Sequence, residues 1–275
     1  MKISKEDLKD IVRIYSEGKM NQKQIGKIYG VSGAAVRQRL IKIGINVKAD
    51  QSTLQRKYKL NEDFFDEIDS ENKAYFLGWM FSDGYNYQSR NIICLEIERG
   101  DSYILDKFSS FIESNRPISH RSKRRANGKE MSILSLTSRK ICSQLALLGC
   151  TQRKSLTLQF PSLEILGDHV RHFIRGYLDG DGSIHLPKKK RTYQGCIVDF
   201  ICTPMFATVL AEVIKNKLNL DMKIYKNKNR NPLTCSCRIA GYATLDLLDW
   251  IYKDSSVFLE RKYEKYREFD RLINS

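Results

Sequence analysis

Over the first 46 residues, apolar side chains recur at helical spacing. Ser4 and Asp7 have the spacing of a capping box, and Leu8, Ile11, Val12 and Tyr15 then share one face. Gly18 is the expected stop. A second helix opens at Asn21 and Gln24, turns Ile25, Ile28 and Tyr29 inward, and ends at Gly30. Ser32 caps a third, with Val36, Leu40 and Ile43 facing back into the core. Two short helices across a glycine-containing turn, with a third in front, predict a helix-turn-helix over 1–46. Across 47–60, "VKADQSTLQRKYKL", the period vanishes and the residues turn polar and basic, which reads as a linker.

Beyond residue 60 one pattern is written twice. "YFLGWMFSDGYNY" begins at Tyr75 and "FIRGYLDGDGSIH" at Phe173. An offset of 98 residues pairs Gly78 with Gly176, Trp79 with Tyr177, Met80 with Leu178, Asp83 with Asp181 and Gly84 with Gly182, without a gap. A single Gly-x-Asp-Gly string is a weak signal, whereas two in register with matching apolar positions indicate internal duplication. The flanks repeat as well. After each Asp-Gly come two alternating strands, an amphipathic helix, a basic hairpin and a closing helix, giving repeats over 61–165 and 166–275.

A glycine in mid-helix costs up to about 1 kcal/mol against alanine, so two of them need a reason. Gly78 and Gly176 lie on the stripe where each helix would meet its twin, and the missing side chains let the backbones approach closely. Two such helices about a pseudo-twofold axis would end side by side and bring out Asp83 and Asp181 together. The plainer reading, that each Asp only ends its helix, suits one motif better than two. Adjacent carboxylates repel unless a cation is shared. Hard oxygen ligands suit Mg²⁺, with Mn²⁺ as a substitute, and such a site supports in-line phosphodiester hydrolysis.

Charge sharpens this picture. Lys and Arg number 47 against 32 Asp and Glu, a net +15, which favours polyanions or anionic membrane surfaces as partners. No apolar run approaches the roughly 20 residues of a membrane span, and "MKISKEDLKD" is too polar for a signal peptide. Seven cysteines without a Cys-x-x-Cys read as reduced thiols in a cytoplasm-like compartment. Cys235 and Cys237 alternate along a strand, which is weak evidence for a metal. The basic hairpins offer Arg121, Lys123, Arg124 and Arg125, then Lys188, Lys189, Lys190 and Arg191, then Lys226, Lys228 and Arg230 to double-stranded DNA. A lone charge run is usually a solvated loop, but three on equivalent segments favour a DNA-facing surface. On the third N-terminal helix, Gly33, Ala34, Arg37, Gln38 and Lys42 are expected outward, where Arg37, Gln38 and Lys42 can meet a major groove.

"FLGWMFSDG" and "IRGYLDGDG" resemble the two LAGLIDADG motifs of single-chain homing endonucleases, with coverage from about residue 60 onward. "IGKIYGVSGAAVRQRL" resembles the trihelical helix-turn-helix of DNA-binding regulators and recombinases. The first motif departs from the pattern in carrying Phe81 where an acid is common, while the second keeps Asp179. The resemblance implies an α+β fold, a duplicated αββαββα unit with pseudo-twofold symmetry, preceded by a small all-α domain. It implies a saddle of strands over DNA, a Mg²⁺ site made by Asp83, Asp181, Gly84 and Gly182, and cleavage of both strands by a monomer containing its own pseudo-dimer. It also suggests Lys154 and Lys262 as catalytic cations and Glu98 and Asp199 as polar strand residues. His169 and His172 are taken as helix-face residues. A LAGLIDADG-derived transcription regulator, an intron RNA maturase and an inactive basic protein remain as alternatives.

Overall fold

The computed structural model describes residues 4–17, 20, 22–45, 57–122, 128–152, 154–186, 195–226 and 233–274. The chain divides into two compact units, 1–59 and 60–275.

The first unit contains α1 (Lys5–Ser16), α2 (Gln22–Ile28) and α3 (Gly33–Lys42). The capping box forms as expected: the Ser4 hydroxyl accepts from the Asp7 amide, and the Asp7 carboxylate accepts from the Ser4 amide. Ile11, Ile25, Val36 and Leu40 make a fully buried core. Two expected core residues lie outside it, Ile28 at 58% exposed and Ile43 at 45%. Each is displaced by a helix ending. After α2, Gly30 takes a left-handed φ and the Val31 amide returns to the Gly26 carbonyl, so Val31 packs instead. After α3, Gly44 is left-handed and Ile45 folds back to bond Leu40, taking the place expected of Ile43. Gly33 also differs from expectation. A Cβ there would sit 3.0 Å from the Lys23 Cα, so Gly33 serves the α2–α3 crossing, not an outer surface. Gly18 and Asn21 lie outside the described residues, as do Asn46 and residues 47–56 of the expected linker. Leu60, placed in the linker by its surroundings, packs on the core of the second unit.

The second unit runs α4 (Glu71–Phe81), β1 (Gly84–Tyr87), β2 (Ile92–Glu98), α5 (Tyr103–Phe111), β3 (Ser119–Arg121), β4 (Met131–Thr137) and α6 (Arg139–Leu147). A short α7 (Leu163–Leu166) leads to the same order again: α8 (Val170–Asp181), β5 (Gly182–His185), β6 (Cys196–Cys202), α9 (Pro204–Leu218), β7 (Lys223–Lys226), β8 (Cys235–Gly241) and α10 (Thr244–Tyr252). A last helix, α11 (Glu260–Asn274), had no counterpart in the expected repeat. The strands form two antiparallel four-stranded sheets, ordered β1-β2-β4-β3 and β5-β6-β8-β7.

Strict alternation gives each sheet one apolar face. On β2, Ile93, Leu95 and Ile97 are buried while the residues between them are half-exposed. Helix α4 is buried from Ala74 to Phe81, as befits a helix enclosed on all sides. It crosses α8 at the two glycines: a Cβ on Gly78 would lie 2.3 Å from the Phe173 carbonyl oxygen, and one on Gly176 2.0 Å from that of Tyr75. The repeats therefore share one core, with Phe81 edge-on to Phe173 at 5.2 Å. Fully buried Arg175 adds a polar tie, donating to Glu71 at 2.6 Å and to the Ile251 and Val257 carbonyls at 2.7 and 2.9 Å.

Candidate active site

Helix α8 passes directly into β5 and α4 reaches β1 after Ser82 and Asp83, and close packing makes the first strand residue a glycine in both. A Cβ on Gly84 would lie 2.4 Å from the Met80 Cα, and one on Gly182 would lie 2.7 Å from the Leu178 carbonyl oxygen. These turns put Asp83 and Asp181 on adjoining helix ends. Gly180, just before Asp181, would place a Cβ 3.2 Å from Asp83 Oδ2 and directly onto the Ser82 hydroxyl. Ser82 is its counterpart in the first repeat, so the two helix ends interlock, a side chain against none.

Both carboxylates reach solvent, and among the described residues nothing donates a hydrogen bond to either. Desolvation in this crowded recess, then the facing Asp181, pushes the Asp83 carboxyl up to about 6, against the pull of Lys262, Lys154 and Arg261. Desolvation also raises Asp181, opposed by Lys154 and Lys262.

The two lysines occupy equivalent places beneath the acids. Lys154 donates to the Ser82 and Gly84 carbonyls at 3.0 and 2.6 Å. Lys262 donates to Leu178, Asp179 and Gly182 at 2.5, 2.8 and 2.7 Å. Each ammonium thus satisfies carbonyls left over at a helix C-terminus, where the helix dipole favours a cation. Burial brings Lys262 down to about 8 although Asp179, Asp83 and Asp181 hold its charge. Gly84 and Gly182, expected at the metal with the two acids, each turn a carbonyl toward a lysine ammonium.

Asp179 has a different task from its neighbours. It is fully buried and accepts from Tyr75 at 2.8 Å, Tyr252 at 2.6 Å and the Leu259 amide at 2.8 Å, so it binds α4, α10 and the lead into α11. Glu98 and Asp199 do not occupy matching positions. Gly84 pairs with Leu95 and Gly182 with Phe200, so the strands correspond at an offset of 105, which matches Asp199 to Cys94 and Glu98 to Thr203. Asp199 accepts from Ser236 at 2.5 Å and Arg238 at 2.7 Å, and Glu98 pairs with Lys129 at 2.6 Å. A cavity of about 220 Å³ beside Asp83 is lined by Trp79, Glu96, Glu98, Asp101, Lys129 and Arg261, among others. His172 is buried against Arg175 at 2.7 Å, and burial followed by that cation holds it down at about 4.

Of the expected DNA contacts, Arg37, Gln38 and Lys42 are exposed on α3, and Lys226 is exposed at the end of edge strand β7. Arg121 is ion-paired with Glu96. Lys123, Arg124, Arg125, Lys188, Lys189, Lys190, Arg191, Lys228 and Arg230 lie outside the described residues. Beyond the hairpin tips, the faces of the sheets carry further polar and aromatic residues. A row across the second sheet reads Ser183, Asp199, Arg238, Lys223, with Arg238 over the Tyr225 ring at 5.3 Å. The first sheet carries Tyr85, Tyr87, Glu96 and Glu98 at half-exposed or exposed positions. Strand alternation was the signal that would have found them.

No family model matches the chain, and no curated protein matches it in sequence. Among solved structures, the homing endonuclease I-WcaI bound to its DNA recognition sequence superposes with a TM-score of 0.54, covering 81% of this chain and 95% of its own at 11% identity. The fold is that of the LAGLIDADG homing endonucleases. The I-LtrWI LAGLIDADG homing endonuclease bound to target DNA gives a TM-score of 0.45 at 10% identity, covering 78% of this chain and 92% of its own. Full-length DUF199/WhiA from Thermatoga maritima gives 0.48 at 14% identity, covering 78% and 66%. Within the LAGLIDADG fold, α4 and α8 are the motif helices, and no helix among the described residues is long and apolar enough to cross a membrane.

Proposed function

We propose that the chain is a site-specific double-strand DNA endonuclease that hydrolyses one phosphodiester on each strand at Asp83 and Asp181 with Mg²⁺. The observation that carries this reading is the meeting of two solvent-reaching carboxylates at the paired helix ends, each raised in pKa and neither held by a described donor. That donor set fits a hard divalent cation, Mg²⁺ or Mn²⁺, which relieves their repulsion and accepts phosphate oxygens as further ligands. When bound, the cation supplies Lewis-acid polarisation of the phosphate and a more acidic water.

The chain's own groups position the rest. Gly78 and Gly176 set the helix spacing, and Lys154 and Lys262 bring positive charge toward both acids. The half-exposed sheet faces and basic hairpins meet duplex DNA, and Arg37, Gln38 and Lys42 on α3 add contacts from the first unit. Because both acids come from one chain, a monomer suffices. I-WcaI, of the same fold and bound to its DNA recognition sequence, supports this assignment.

The test is incubation of the full chain with a randomised DNA-site library in Mg²⁺, Mn²⁺ or EDTA, followed by sequencing of cut ends. Selected sites cut on both strands only with the metal are expected. Tight binding without cutting would instead make the protein a regulator on the same fold.

A further inference from the structure

We infer that the second repeat contains a buried soft-metal site made by Cys202, Cys235 and Cys237. Cys202 ends β6 and is the register partner of Cys235 on β8, while Cys237 stands two residues on, opposite Phe200. All three side chains therefore fall on the core face of one sheet, at 4%, 2% and 0% exposure. Their sulfurs lie 3.5 Å apart between Cys202 and Cys237 and 3.9 Å between Cys235 and Cys237, and all fall within 4.8 Å of one another. Ligation at a metal–sulfur distance of about 2.3 Å separates sulfurs by roughly 3.8–4.0 Å, so the trio closes on a cation without moving a strand. None of the three is in a disulfide.

The first repeat shows that the fold does not require thiols here. At the same strand positions it has Ile97, Ser132 and Leu134. Among the described residues no fourth His, Cys, Asp or Glu joins the cluster. Structural zinc is nearly always four-coordinate, so a three-sulfur set selects a thiophilic d¹⁰ cation that accepts three ligands, Cu(I) foremost. Thiol protons leave to solvent as the thiolates close on the cation. Behind the cluster, the Tyr177 hydroxyl donates to the Ile201 carbonyl at 2.9 Å. The cation would thus tie β6 to β8 behind α8, the helix that ends in Asp181.

The experiment uses the reduced full chain under anaerobic conditions. Cu(I) is titrated against a chromophoric chelator, and Cd(II) is added in parallel as a probe whose NMR shift counts bound sulfurs. Stoichiometric Cu(I), a three-sulfur Cd(II) signal and an unfolding midpoint that rises with free metal are expected. A variant carrying the residues of the first repeat, Cys202→Ile with Cys235→Ser and Cys237→Leu, should lose the stoichiometric Cu(I). Should that variant not fold, the wild-type Cd(II) signal decides alone. Cu(I) retained by the folded variant, a Cd(II) signal from fewer than three sulfurs, or no uptake by the wild type would each overturn the site.

Discussion

Replacing Gly176 by alanine tests the helix pair directly. The added Cβ would fall 2.0 Å from the Tyr75 carbonyl oxygen and 2.9 Å from its carbonyl carbon. Ordinary contact begins near 3.4 Å, so α4 and α8 must part by about 1.4 Å. The obstacle is backbone, which cannot rotate out of the way. Alanine recovers up to about 1 kcal/mol of helix propensity, but overpacking a core costs about 1–3 kcal/mol and sometimes more. The parted helices also strain the Tyr75–Asp179 hydrogen bond, and losing a bond to a charged group adds about 1.5–3 kcal/mol. A net loss of roughly 2–4 kcal/mol is expected by urea unfolding. Because the same displacement separates Asp83 from Asp181, cleavage by the folded fraction should fall by at least about a hundredfold, while DNA binding changes less. Gly100→Ala is the control, since nothing lies within 4 Å of its Cβ, and it should stay within about 0.5 kcal/mol of the parent. A Gly176→Ala protein that unfolds with the control and linearises plasmid at the parent rate would refute the close-packing argument.

Four further outcomes follow from the site. Asp83→Asn and Asp181→Asn should each nearly abolish linearisation while preserving binding, as read on plasmid and in a gel shift. In EDTA, the raised Asp83 pKa means that the folded state binds its proton more tightly than the unfolded state. Stability of the parent relative to Asp83→Asn should therefore fall as pH rises from about 4 to about 6, and Mg²⁺ should restore it; a pH-independent gap would count against the carboxylate pair. Asp179→Asn should cost about 2–4 kcal/mol in stability, because it turns a donor toward groups that already donate, with cleavage by the folded fraction nearly retained. Lys262→Met should leave three carbonyls unsatisfied and remove a charge near both acids, so stability falls and the cleavage pH profile moves upward; an unmoved profile would leave Lys262 a structural cap only.

What could be read from sequence was what repeats. The paired motifs place the glycines, both acids and the element order, because apolar periodicity and local turn chemistry are written into neighbouring residues. Long-range pairing was not readable in the same way. Nothing near Asp179 in sequence announces Tyr252 or the Leu259 amide, and the carbonyls that receive Lys262 are some 80 residues away. Glu98 and Asp199 lie on strands whose offset is 105, not the 98 of the helices, because the intervening turns differ in length and only pairing fixes register. Helix α11 escaped for a similar reason: its inward residues, Lys262, Tyr266 and Phe269, include a buried lysine that reads as surface until its carbonyl partners are known.

The repeats share element order, sheet topology and the helix pair, but the side chains at matching strand positions differ. Glu96 and Glu98 line the cavity beside Asp83, yet their counterparts in the second repeat are Ile201 and Thr203. The surroundings of the two acids therefore differ: Glu96, Glu98 and Arg261 line the Asp83 side, while burial raises both carboxyls and both lysines oppose that rise. Two strands presented to such a centre should be cut at different rates, with a nicked intermediate accumulating before the linear product. Glu98→Gln, which frees Lys129 from its 2.6 Å partner and adds net positive charge on one side only, should change the rate for one strand more than for the other. Single-turnover cleavage of a duplex labelled on each strand in turn measures both rates. Equal rates in the parent, or an equal response of both strands to Glu98→Gln, would mean that the acidic cavity plays no part in the chemistry.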